Sequence, residues 1–166
     1  MDATITLDIE GLGVVFYSPS AASHIGGGDN YLQAHFWKPE DVARHVNACQ
    51  ISAFRTGSPG RFLLRLYDGP IDAPGLAAAK KTGRLGIEVH DDRLCFRDLY
   101  DLMEWDPQCP PTQSVILGNG FYRITAYTSP PPSGILGDGQ TVWLHFDRWP
   151  EKPELAWCGV PDLVPE

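Results

Sequence analysis

The C-terminal part of the chain contains two segments in which every second residue is apolar, and this alternation constrains the fold more than any other feature. The segments are Phe121–Thr128 and Thr141–Asp147, and a Pro- and Gly-rich stretch joins them. Side chains alternate across a strand, so this pattern predicts half-buried antiparallel strands. The side chains predicted to face the core are Tyr122, Ile124, Ala126, Val142, Leu144 and Phe146. We therefore expect a mostly-β domain.

Length and composition favour one domain with one core. The chain has 166 residues, 43% of them hydrophobic, and its 17 Gly and 15 Pro residues suit many turns between short strands. A chain of this size buries about 70% of the surface that it exposes when unfolded. We predict a single domain over residues 1–166. Its expected architecture is a two-layer antiparallel β-sandwich of about eight strands with about two or three short helices at its edges.

Shorter patterns along the chain predict the remaining elements. Strict alternation predicts a strand at Thr4–Glu10, and further strands are predicted at Val14–Tyr17, Tyr31–Trp37, Cys49–Arg55, Phe62–Tyr67, Arg84–His90 and Arg93–Phe96. The segment Gln113–Leu117 leads through three turn residues into the two C-terminal strands. Helices are predicted at Pro39–Asn47, Ala73–Lys81 and Asp98–Trp105. Turn residues at Thr56–Gly60 and His90–Asp92 predict two hairpins, in which the strands flanking each turn pair with each other.

The charge balance limits the classes of function. The formal net charge is −8, from 21 acidic and 13 basic residues, and the only adjacent basic pair is Lys80-Lys81. A nucleic-acid surface needs clustered Lys and Arg, so we expect no nucleic-acid partner. An acidic protein can instead bind a basic protein, for which charge mainly raises the association rate and the specificity.

The cysteines indicate a reducing compartment. Cys49, Cys95, Cys109 and Cys158 are spaced irregularly, without the C-x-x-C pattern of zinc or redox sites. We expect free thiols, no metal and no cofactor. The first residues carry acids at positions 2, 8 and 10, and no apolar run has the length of a membrane span. We therefore expect a cytoplasmic protein that does not bind membranes.

No catalytic motif stands out in the sequence. The five histidines are scattered, without the H-x-H or H-E-x-x-H spacing that lets two imidazoles reach one metal ion. No serine lies in a G-x-S-x-G turn, and the Gly26–Gly28 loop lacks the Lys-Ser/Thr pair of a phosphate-binding loop. The sequence favours a protein without enzymatic activity.

The densest run of acidic residues extends from Asp91 to Asp106. Asp98, Asp101 and Glu104 repeat every three residues, so on a helix they line one side. This pattern is typical of a solvated helix face. The alternative is a contact surface for a basic partner, to which two aromatic side chains of the same segment contribute. The candidate partner-binding residues are Asp91, Asp92, Asp98, Tyr100, Asp101, Glu104 and Trp105.

Three pieces of the chain carry a resemblance to a known type of protein. They are Phe16–Pro19, Gln33–Trp37 and Gly120–Ile124, the last followed by a final apolar strand. Their order resembles small bacterial β-sandwich proteins of the competence-associated nuclease-inhibitor type and single-domain immunity proteins. Gln33 is followed by Ala34 here, where that type has Gln-Gly-Phe, so no functional residue carries over. The resemblance implies an inhibitor or immunity role.

The leading hypothesis is a cytoplasmic, non-enzymatic protein that binds and neutralises a partner enzyme or toxin. A second hypothesis is a small-ligand-binding or hydrolytic domain, with a pocket between the sheets or under the Gly26–Gly28 loop. A third is a structural subunit of a larger assembly. An inhibitor needs an exposed acidic and aromatic patch, whereas an enzyme needs convergent polar groups in a concave site.

Overall fold

In the computed structural model, which describes residues 2–79 and 81–165, nine strands form two sheets. The strands are β1 (Asp2–Ile9), β2 (Gly13–Tyr17), β3 (Ile51–Arg55), β4 (Gly60–Asp68), β5 (Gly83–Val89), β6 (Arg93–Asp98), β7 (Ser114–Ile116), β8 (Gly120–Thr128) and β9 (Asp138–Trp149). One sheet has the order β1-β4-β9-β8-β5 and the other the order β3-β2-β6-β7. The predicted mostly-β, two-sheet sandwich is confirmed.

Short helices lie at the edges of the sheets. They are α1 (Tyr31–His35), α2 (Pro39–Asn47) and α3 (Ala73–Ala78), with 3-10 helices at Pro19–Ala22, Leu99–Met103 and Pro111–Gln113. The bounds of α2 match the prediction, because a proline begins the helix and Glu40 and Asp41 lie beside its positive end. Helix α3 ends earlier than predicted, at Ala78, and Lys80 of the predicted helix lies outside the described residues.

The pairing of β8 with β9 confirms the strongest prediction from the sequence. The two strands are antiparallel, with Ile124 opposite Phe146 and Tyr127 opposite Trp143. All six side chains predicted to face the core are buried. In the other sheet, the ring of Phe16 stacks on that of Phe96 with their centroids 5.2 Å apart. Burial of these apolar faces is the main force that holds the two sheets together.

One strand pair departs from the predicted antiparallel arrangement. β4 and β9 are parallel neighbours, with Leu64 opposite Val142 and Leu66 opposite Leu144. Parallel strands require a long crossover connection, and here the chain passes through α3, β5, the two strands β6 and β7 of the other sheet, and β8 before it returns in β9. The expectation of a wholly antiparallel sandwich is therefore wrong at this pair.

The segment Tyr31–Trp37 is not the predicted strand, because its first five residues form α1. The Asn30 side chain caps this helix by accepting a hydrogen bond from the backbone N–H of Gln33. Leu32 and Phe36 are four residues apart and both buried, which is a helical spacing. In so short a segment, the pattern of apolar residues is compatible with both the helical period of 3.6 residues and the strand period of two.

Both predicted turns form, but neither joins two strands of one sheet. After Thr56–Gly60 the chain passes from β3, which pairs with β2, to β4, which pairs with β1 and β9. At the second turn, Asp91 and Asp92 both have left-handed backbone angles, as in a two-residue hairpin turn. Beyond the His90–Arg93 bridge, β5 joins β8 while β6 joins β2. The two hairpin predictions are therefore wrong in their strand pairing.

Three further observations concern the whole described chain. All four cysteines are unpaired. Among residues 2–79 and 81–165, no group of three or more His, Cys, Asp or Glu side chains has the geometry to hold a metal ion. No helix in the same ranges has the length and apolar character to cross a membrane.

Adjacent leucines of β4 test the assignment of inner and outer faces. Leu64 is fully buried between the sheets, whereas Leu63 is half-buried on the outer face. We expect Leu64→Ala to lower the free energy of unfolding by about 2–5 kcal/mol, because it leaves a cavity in the core. Leu63→Ala should cost clearly less. Urea unfolding of both variants measures the difference, and equal losses would contradict this register.

Candidate functional site

An apolar groove lies where the β1–β2 turn, the α1–α2 connection and the Leu99–Met103 3-10 helix meet. Its rim carries three large side chains with unusual exposure: Leu12 (47%), Trp37 (69%) and Tyr100 (39%). The groove has a volume of about 240 Å³. Its floor and walls are formed by Leu32, Phe36, Val42, Ala53, Phe54, Arg55, Leu99 and Val160. We call this surface the apolar groove.

A buried carboxylate positions two of the three rim residues. Asp98 Oδ2 accepts a hydrogen bond of 2.8 Å from the backbone N–H of Glu10, and Oδ1 accepts one of 3.2 Å from Gly11. Oδ1 also accepts the N–H of Tyr100 at 3.1 Å and so caps the 3-10 helix. One side chain therefore ties the turn that carries Leu12 to the helix that carries Tyr100.

Gly11 is required at this junction because of close approach. A Cβ atom at this position would lie 2.7 Å from Asp98 Oδ1 and 2.8 Å from the ring of Tyr100. Both distances are shorter than a van der Waals contact, so any side chain would push the turn away from the carboxylate. The glycine on the N-terminal side of Leu12 thus permits the close packing that places it on the rim.

Arg97 holds the segment that follows. Its side chain is only 6% exposed and pairs with Asp101 at 3.1 Å. The guanidinium also donates to the hydroxyl of Tyr17 and to the backbone carbonyl of Asp106, and it lies 4.5 Å from the ring centroid of Trp105. Burial raises the pKa of Tyr17, so its hydroxyl stays protonated. These contacts fix the course of residues 98–106.

A network of imidazole and phenol groups fixes α1 against α2 on the other side of the groove. His45 Nδ1 donates to the backbone carbonyl of Asp41 at 2.7 Å, so Nε2 accepts from the Tyr31 hydroxyl, also at 2.7 Å. His24 Nε2 lies 3.3 Å from the same hydroxyl. Burial lowers the pKa of His45, which favours the neutral ring that this bonding requires. The α1–α2 connection that carries Trp37 is thereby held in place.

The structure separates the seven predicted partner-binding residues: three are at least partly exposed, two are buried, and two lie at the far end of β6. Tyr100 lines the groove, and Asp101 and Glu104 follow it in the chain; all three side chains are at least partly exposed. Asp98 and Trp105 are buried and serve as the supports described above. The predicted helix Asp98–Trp105 is a shorter 3-10 helix, Leu99–Met103.

Asp91 and Asp92 lie at the opposite end of β6, a strand about 17 Å long. Asp92 exchanges two hydrogen bonds with Asn119, and the carboxylate of Asp91 accepts from the backbone N–H of Ser20. The acidic run is continuous in the sequence but not on the surface. The structure does not bring Asp91 and Asp92 to the groove.

Sequence reasoning missed Leu12 and Trp37. Leu12 lies between two glycines, and Trp37 precedes Lys38-Pro39 at the start of a helix. Leu12 is a single large apolar residue in a turn, and its isolation is a signal, since a lone hydrophobe in a connection has no neighbour within its own element to pack against. Trp37 follows Phe36 and belongs to the predicted strand Tyr31–Trp37, so the sequence pattern gives no sign of its exposure.

Comparison with known proteins places the fold but not the function. No protein-family model matches the chain, and no curated protein matches it. A solved structure described as crocagin biosynthetic gene J is 15% identical, with a TM-score of 0.54 over 87% of this chain and 96% of that one.

ComJ, described as an inhibitor of the DNA-degrading activity of NucA from Bacillus subtilis, is 11% identical, with a TM-score of 0.48 over 90% of this chain and 99% of that one. At these identities the likeness concerns the fold alone.

Removing the buried carboxylate tests how much the groove depends on it. Asp98→Ala leaves the N–H groups of Glu10, Gly11 and Tyr100 without their acceptor. We expect the free energy of unfolding to fall by about 1–3 kcal/mol, the cost of unsatisfied buried donors. Glu104→Ala, an exposed carboxylate of the same segment, should change it by less than about 0.5 kcal/mol. Equal effects in urea unfolding would contradict the anchoring role.

Proposed function

We propose that this protein is a non-enzymatic inhibitor or immunity protein that binds a basic enzyme through the apolar groove. The observation that carries the proposal is the exposure of Leu12, Trp37 and Tyr100 around one concavity. Large apolar side chains exposed together mark interaction sites, and Trp and Tyr are the residues that most often dominate the binding energy of protein interfaces.

The rigidity of the groove supports the same function. Each of its three rim segments is held by long-range hydrogen bonds or by the α1–α2 network, so little side-chain or loop ordering is needed when a partner binds. Ordering of an interface reduces affinity, and a preorganised surface avoids much of that cost. A groove built in this way suits tight binding of one partner.

The acidic residues next to the rim residues in the chain favour a basic partner. Glu10 lies two residues before Leu12, Asp101 and Glu104 follow Tyr100 within four residues, and the whole chain carries a net charge of −8. Of the described residues that line the groove, Arg55 carries the one charged side chain. A partner with Lys and Arg around an apolar protrusion complements this surface, and the carboxylates repel the phosphates of nucleic acids.

The class of partner follows from the resemblance of the sequence. Competence-associated inhibitors and immunity proteins act on nucleases and toxins, so we propose an enzyme of this kind as the target. The four free thiols fit a cytoplasmic location, where thiols stay reduced. The proposed unit of action is the single domain, with no requirement for a cofactor or a membrane.

Removal of the rim aromatics tests the groove. The enzyme is captured from a lysate of the native host on the immobilised protein, and its nuclease or toxic activity is measured with and without added protein. We expect Trp37→Ala combined with Tyr100→Ala to weaken inhibition at least about 100-fold, because two central aromatic contacts are lost. Ile135→Ala removes a side chain of similar exposure (65%) elsewhere and should leave inhibition unchanged.

An unaltered inhibition constant in the double variant would contradict this use of the groove. A captured enzyme whose activity the wild-type protein leaves unchanged would contradict the inhibitor function itself. Far-ultraviolet circular dichroism of both variants checks that the fold is retained.

Charge reversal at exposed carboxylates that lie near the rim residues in the chain tests the sign of the partner's charge. Asp98 and Asp101 are unsuitable because they bond to the backbone and to Arg97. Glu10→Lys with Glu104→Lys should slow association with the enzyme by about tenfold at low salt and have little effect at high salt. Arg55→Glu should accelerate association. Rates that do not change in either variant would rule out electrostatic steering by a basic partner.

A further inference from the structure

The outer face of the five-stranded sheet carries a column of stacked rings. The rings of Tyr67 and His145 are 5.0 Å apart at 18°, those of His145 and Tyr127 are 5.7 Å apart at 13°, and those of Tyr127 and Trp143 are 5.1 Å apart at 13°. Burial lowers the pKa of His145, so the imidazole within the column is neutral at pH 7. The column thus runs from β4 across β9 to β8 and ends on β9, with each ring nearly parallel to the next.

The two ends of the column differ. At one end, the guanidinium of Arg65 lies 6.0 Å from the centroid of Tyr67. At the other end, Trp143 has a single ring neighbour, Tyr127, among the residues that the structure describes. Trp143 and Tyr127 also line a cavity of about 380 Å³. The stack therefore ends at a cavity, where a further ring can continue it.

Helix α3 provides the wall of this cavity. The Asp72 side chain caps the helix by accepting the N–H of Gly75 at 2.7 Å. The helix contributes Gly75 and Ala78 to the lining, and Ala79 follows them, so none of the three fills the space. Pro130 and Pro165 add rigid apolar surfaces. The volume falls within the range of small-molecule sites, roughly 300–1,000 Å³.

The polar groups of the cavity favour an anion. Lys81 is the one charged side chain among the described residues that line it, although the chain as a whole has a net charge of −8. Thr128 Oγ1 donates to the carbonyl of Thr141 and accepts from Gln140, so its hydroxyl is already engaged. Lys81 therefore supplies the charge available to a ligand.

We propose that this cavity binds a small planar aromatic carboxylate, whose ring stacks on Trp143 and whose carboxylate pairs with Lys81. A flat ring is favoured because the indole presents a plane and the helix side offers only small residues. The site lies on the outer face of the five-stranded sheet, not between the sheets. It is formed by elements other than those of the apolar groove, and it does not depend on the proposed inhibitor function.

Three probes of related shape and charge test the ligand class by isothermal titration calorimetry. Indole-3-acetate is planar and anionic, indole is planar and neutral, and cyclohexylacetate is anionic but not planar. We expect indole-3-acetate to bind the wild-type protein with a dissociation constant below 1 mM, and each of the other two to bind roughly tenfold more weakly. Absence of binding by indole-3-acetate at millimolar concentration would overturn the proposal, as would equal affinity for either control.

Variants assign the binding to this cavity. Trp143→Leu should weaken binding of indole-3-acetate roughly tenfold, whereas Trp149→Leu, a change on the same face of β9 but outside the cavity, should not. Ala78→Phe fills the cavity from α3 without altering the sheet and should abolish binding. Lys81→Met should weaken binding of indole-3-acetate while leaving that of indole unchanged. If Ala78→Phe bound indole-3-acetate with the wild-type affinity, the proposed location of the site would be wrong, even if Trp143→Leu failed to fold.

Discussion

The buried side chains of Arg97 and Asp98, adjacent at the end of β6, are the constraint on which the candidate site depends. Successive residues of a strand point to opposite faces, so the two charges serve different segments. Asp98 shares a face with Phe96 and binds the β1–β2 turn and the N-terminus of the 3-10 helix. Arg97 points the other way, to Tyr17, Trp105 and the carbonyl of Asp106.

This arrangement explains why two charged residues are retained in the interior. Both are fully engaged: the Asp98 carboxylate accepts three backbone N–H groups, and Arg97 bonds to Tyr17, to Asp101 and to the carbonyl of Asp106. A buried polar group that loses its partner costs about 1–3 kcal/mol. Leucine or phenylalanine at these positions would fill space but would not orient a backbone turn. The benefit is positional, because the bonds from Asp98 fix the backbone that carries the exposed side chains of Leu12 and Tyr100.

Local physics made part of the fold predictable, and long-range contacts account for the rest. Alternation identified β8 and β9, and a proline with two acids located α2, because these signals lie within the element. The parallel β4–β9 pair depends on which apolar faces bury one another, which no turn motif encodes. The site shows the same division: the acidic run drew attention to Tyr100, but the bonds from Asp98 to Glu10 and Gly11 span nearly ninety residues.

Strand β9 shows how one sequence pattern serves both stability and binding. Its inner residues, Val142 and Leu144, belong to the core, while the outer residues between and beyond them carry the rings of Trp143 and His145. Cross-strand aromatic pairs stabilise a sheet by roughly 0.2–1 kcal/mol each. This stabilisation explains the presence of the two rings in the middle of the column, those of His145 and Tyr127. Stability alone does not account for its end. A column selected only to strengthen the sheet needs no cavity at Trp143. A bulky residue in α3 would cover the indole and add apolar contact. The small residues of α3 instead leave that surface of the indole open.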